Sequence, residues 1–111
     1  MTDRVGDDGQ TPPLSPHQEK KMYEAEYKQA ADLFKNTLAA YEKSDNKYQK
    51  AEFKKVMEES LQVLNDAATG LRRNDLLNQN SQIEKDYTDF QMNDTNDTKL
   101  QKDLDKAKRS V

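Results

Sequence analysis

His17 is the single histidine of this 111-residue chain, and imidazole is the side chain whose ordinary titration suits it best to moving protons near neutral pH. It falls two residues after Ser15, in what reads as the first turn of a helix, with no side chain in register to orient its ring. Paired carboxylates would do acid–base work only if they were desolvated. The acidic residues here instead alternate with lysines on what read as solvated helix faces. With no cysteine, thiolate chemistry, disulfides and Cys-ligated metals are excluded. The chain is therefore expected to be non-enzymatic and to carry no cofactor, no metal and no small-molecule substrate.

Three further patterns invite a chemical reading. Asp94, Asn96, Thr98 and Asp105 occupy the first, third, fifth and twelfth places of a calcium-loop spacing. Lys99 stands where that loop needs Gly for its sharp turn, and Asp105 is shorter than the Glu that closes it, so the string reads as a polar linker. Asn93-Asp94-Thr95 and Asn96-Asp97-Thr98 have the form of glycosylation acceptors, which carry meaning only in a secreted eukaryotic chain. Lys47, Lys50, Lys54 and Lys55, with Arg72 and Arg73, suggest a basic patch. Glu52, Glu58 and Glu59 dilute its charge and no aromatics interleave for base stacking, so weak nucleic-acid binding through Lys47–Lys55 is the alternative from another functional class.

The tyrosines are the more informative residues. Tyr23, Tyr27, Tyr41 and Tyr87 fall on apolar stripes, where a covered ring and a wet hydroxyl suit a half-buried surface. They either pack a thin core or form a face for a partner or a second copy. Together with Leu100 and Leu104 they are the candidate partner-binding residues.

The elements that position them are helices. Residues 1–15 hold two of the three glycines and two of the three prolines and read as a disordered tail. Ser15, Pro16 and Gln18 then form a helix start, with Ser15 and Gln18 as a capping box. Tyr23, Tyr27, Ala30, Phe34, Leu38 and Tyr41 recur at helical spacing, which predicts a helix over 16–43. The stripe changes phase at Ser44–Asn46 and resumes as Phe53, Met57, Leu61, Leu64, Ala67 and Leu71, predicting a second helix over 47–69. Gly70 reads as the left-handed residue past its end, with Leu71 as the accompanying apolar contact. Leu76, Asn80, Ile83, Tyr87 and Phe90 predict a third helix over 75–92, capped by Asn74, with Asn80 either setting register between helices or marking exposure. Residues 93–98 read as a linker, and 99–111, with Leu100, Leu104, Ala107 and Val111 behind a Thr98/Gln101 box, as a marginal helix ordered on a partner.

The predicted fold is all-α: an antiparallel helical hairpin closed into a three-helix bundle over 16–92, with a loosely held fourth helix. The stretch Asp45-Asn46-Lys47-Tyr48-Gln49-Lys50-Ala51 after the turn resembles the helix pairs of tetratricopeptide-type and microtubule-interacting-and-trafficking modules, over residues 20–90. The Trp-x-x-Leu-Gly signature and a 34-residue period are missing, and no functional residue is carried over.

Composition sets the terms for function. Lys and Arg number 18 against 21 Asp and Glu, for a net charge of −3. Ten Leu, one Ile, four Val and three Phe are too few to saturate three long helices, so apolar faces are left over for a partner. No apolar run reaches the roughly 20 residues of a membrane helix, and the acidic start is unlike a signal peptide; the expected location is cytoplasmic. The reading that follows is a helical protein-interaction module, an adaptor, chaperone or accessory subunit, or a small component of a secretion or trafficking assembly.

Overall fold

The computed structural model describes residues 15–93 and 97–111. The expected tail, the glycosylation-like triplets and the first part of the calcium-like string thus fall wholly or partly outside the described residues. The chain is all-α, with helices α1 (Pro16–Lys43), α2 (Lys47–Gly70), α3 (Asn74–Asn93) and α4 (Asp97–Arg109).

Local chemistry accounts for most of the boundaries. At the start of α1 the Ser15 hydroxyl accepts from the Gln18 N–H, and the Gln18 side chain accepts from the Ser15 N–H, so two otherwise unpaired donors are satisfied. Asn46 caps α2 by accepting from the N–H groups of Tyr48 and Gln49. The α2–α3 connection departs from expectation. Gly70 is the last residue of α2, and the left-handed residue is Arg72, at φ 56°. The Arg73 N–H bonds back to the Ala68 carbonyl at 3.1 Å, the wrap of a Schellman-type helix end. A glycine is needed at 70 for a different reason: a Cβ there would lie 2.5–2.7 Å from the ring atoms of Tyr23. At the next helix start, Arg73 takes the cap position expected for Asn74, its carbonyl accepting from Leu77. Likewise α4 begins at Asp97, one residue ahead of Thr98.

The helices form a closed ring of neighbours: α1 packs against α2 and α4, and α3 against α2 and α4. Side-chain pairs fix the directions. Asp32 and Lys35 of α1 meet Lys108 and Asp105 of α4 in reverse order, so those helices are antiparallel. Tyr27, Phe34 and Tyr41 of α1 meet Asn80, Tyr87 and Phe90 of α3 in the same order across the centre, so that diagonal pair is parallel.

Four helices therefore share one core, not three with a loose appendage. Leu100, Leu104 and Ala107 of α4 are fully or almost fully buried alongside Phe34, Leu38, Leu64, Leu76 and Ile83. Each buried leucine is worth about 1.5–3 kcal/mol. The Lys35–Asp105 and Asp32–Lys108 ion pairs are nearly half exposed and add about 0–1 kcal/mol each. The marginal helix is thus held on its own chain, because its few apolar residues sit at i, i+4 and i+7 on one face.

Candidate functional site

The six side chains that the sequence offers to a partner do not share a surface. Tyr27, Tyr87, Leu100 and Leu104 are buried in the chain's own core, and Tyr23 and Tyr41 are partly buried against it. Tyr27 donates to Asn80 Oδ1 at 2.7 Å. Burial pushes its phenol up to about 12, with the Asp75 charge adding to the effect and Arg73 opposing it. Tyr87 stands edge-on to Phe34 at 5.6 Å and donates to Glu58; burial, then the Glu58 charge, raise its pKa. These tyrosines bond across the bundle interior, which is why they replace leucines on a stripe. Phe53, expected in the core, is only half buried.

The basic residues do not assemble either. Lys47–Lys55 occupy the first third of α2 and Arg72 and Arg73 follow its end, so that even Lys55 is roughly 25 Å along the helix from Arg72. Lys50 lies over the Tyr41 ring at 5.1 Å, and Arg73 is paired with Asp75. Of the calcium-like string, Asp105 is bound to Lys35. Among the described residues no group of three or more metal-ligating His, Cys, Asp or Glu side chains comes together, and His17 is exposed at the start of α1.

One desolvated carboxylate pair does exist, contrary to expectation. Asp86 of α3 is fully buried, accepts from Gln82 at 2.9 Å and lies 3.4 Å from the Lys99 ammonium of α4. Asp103 of α4 is pushed up to about 6, by burial first, then by a hydrogen bond to Asp86 and by the Asp86 charge, while Lys99 and Lys106 pull the other way. The Oδ2 atoms of both residues are buried, while Asp103 also borders a surface cleft with Gln79, Gln82 and Lys106. The pair belongs to the α3/α4 seam.

A predominantly apolar groove open to another molecule lies on the outer side of α1 and α2. Ala30, Leu33, Val56 and Val63 line a groove of about 230 Å³, with Glu26, Gln29, Glu59 and Ser60 as its polar members. No residue of α3 or α4 lines it. Leu33 is 50% exposed and Val63 39%, and Met22, two helical turns nearer the N-terminus than Gln29, is 37% exposed. The sequence signal is a second, narrower apolar strip: Met22, Leu33, Val56 and Val63 each stand one residue before a core or core-packed residue, Tyr23, Phe34, Met57 and Leu64. A step of one residue turns about 100° around a helix, which carries this strip off the core and onto the flank.

No protein-family model matches this sequence, and comparison with curated proteins and with solved structures gives no significant match to either.

Proposed function

We propose that this chain is a non-enzymatic protein-interaction module that holds a partner on the α1/α2 flank. The observation that carries this reading is the apolar strip of exposed Met22, Leu33 and Val63 with half-buried Val56, shared by two adjacent helices; Tyr48 and Met92 are more exposed but do not line the groove. The tyrosines and α4 leucines are not the docking residues in this reading; they build the scaffold. A rigid four-helix frame presents the groove preformed, which lowers the ordering cost of binding. Helix-in-groove recognition is the mode such a surface suits. The reading is tested by placing a photo-crosslinking amino acid at Leu33 or Val63, and at exposed Lys28 as a control, in the native host. A discrete crosslinked protein from the groove positions and none from Lys28 supports it; equal labelling from all three overturns it.

A further inference from the structure

Charge decides what kind of partner the groove accepts. Its two ionisable lining residues are Glu26 of α1 and Glu59 of α2, and Glu52 stands two turns before Glu59 on the same side of α2. None of the three forms an ion pair or side-chain hydrogen bond with a described residue. No basic side chain lines the groove. By contrast the α1/α4 side of the bundle is laced with cross-pairs, Lys35 with Asp105 and Lys108 with Asp32. The carboxylates flanking the apolar strip are thus among those left without an ion-pair partner in the described residues.

We propose that the occupant is an amphipathic helix of another protein with lysines or arginines on both flanks of its apolar stripe. Its apolar side chains at i, i+3 or i+4, and i+7 enter between Leu33 and Val63, and its basic residues meet Glu26, Glu52 and Glu59. Two nearer occupants are disfavoured by the same charges. A second copy docking through this face would set Glu26 and Glu59 against their own equivalents, and like charges opposed across an interface are costly. The chain's own first 14 residues carry Asp3, Asp7 and Asp8 against a single Arg4, the wrong sign for an acidic rim. Rim charges act mainly on selectivity and encounter rate, so the apolar strip supplies attraction and the carboxylates choose the partner.

This inference rests on the docking role of the groove and narrows it to one chemistry. The test uses the full chain and two stapled helical peptides with the same leucine stripe, one flanked by lysines and the other by glutamates, titrated by fluorescence anisotropy at low and high salt. The lysine peptide is expected to bind about tenfold tighter or more at low salt, with the margin shrinking as salt screens the rim. The double variant Glu26→Lys/Glu59→Lys, checked for an unchanged helical melt, should reverse the order. Equal binding of the two peptides, tighter binding of the glutamate peptide, binding of neither, or a groove-dependent homodimer in light scattering each overturns the inference. Crosslinking from Leu33 and Val63 to a partner helix with an acidic rim would overturn it too, while leaving the docking role intact.

Discussion

Asp103 on α4 hydrogen-bonds Asp86 on α3 inside the seam between the two helices, and its carboxyl is held up at about 6, by burial first and then by that bond. An unfolded aspartate titrates near 3.9, so the folded chain binds this proton more tightly than the unfolded one. The stabilisation it brings is complete below about pH 4 and is lost as pH rises through about 6. Asp103→Asn keeps a donor for Asp86 without a titratable proton. Relative to the natural chain, that variant should gain about 1 kcal/mol between pH 4 and pH 7.5, the full shift being discounted for the partly open seam. Thermal melts of both proteins at the two pH values check it; parallel pH profiles would show that the pair carries no shared proton.

The α2 end offers a second test, at Arg72 and at Gly70 two residues before it. Arg72 sits at φ 56°, where a side chain costs roughly 1–2 kcal/mol; Arg72→Gly should raise stability by about 0.5–1 kcal/mol after glycine's entropic cost. Gly70→Ala should do the opposite. Its new Cβ meets the Tyr23 ring, an overpacking worth about 1–3 kcal/mol that outweighs the ~1 kcal/mol gain in helix propensity. In a Tyr23→Ala background the same change should become stabilising, which urea denaturation of the four proteins resolves.

These two sites also show where sequence reading stops. The capping box at Ser15 is legible because it acts within a few residues along the chain. Gly70 was legible as a special position but not for its reason: a helix-stop glycine and a close-approach glycine are the same letter, and only the Tyr23 ring, 47 residues earlier, separates them. Asp86 lies off the stripe of Leu76, Asn80, Ile83 and Tyr87, so its burial depends on α4 docking. With only Leu100 and Leu104 as large apolar residues in its span, α4 gives little sign of that by itself. The groove strip was written plainly enough at Met22, Leu33, Val56 and Val63, but a reading that assigns each helix one apolar face passes over it.

The Tyr27–Asn80 bond separates the value of a buried hydrogen bond from the cost of breaking it. Tyr27 and Asn80 are both almost completely buried, and the Asn80 Nδ2 has no partner among the described residues. Tyr27→Phe strands the Asn80 oxygen as well and should cost about 1–3 kcal/mol. Tyr27→Phe with Asn80→Leu removes both polar partners and should recover most of that loss. Equilibrium unfolding of the single and double variants reads the difference, and a double variant no more stable than Tyr27→Phe would place the cost in packing.

Leu104 and Leu33 form a contrast between scaffold and surface that the sequence alone inverts. Leu104 is 1% exposed, so Leu104→Ala should cost about 2–5 kcal/mol and loosen α4 from α1 and α3. Leu33 is 50% exposed. Leu33→Ser should shift stability by no more than about 0.5 kcal/mol, yet it removes the largest apolar side chain of the groove and should abolish crosslinking from Val63 to the partner. If the leftover apolar residues served only folding, both variants would lose stability and neither would change binding independently of it. Measuring unfolding free energy and groove crosslinking on the same two proteins therefore asks of each leucine whether it holds the bundle together or meets what lies outside it.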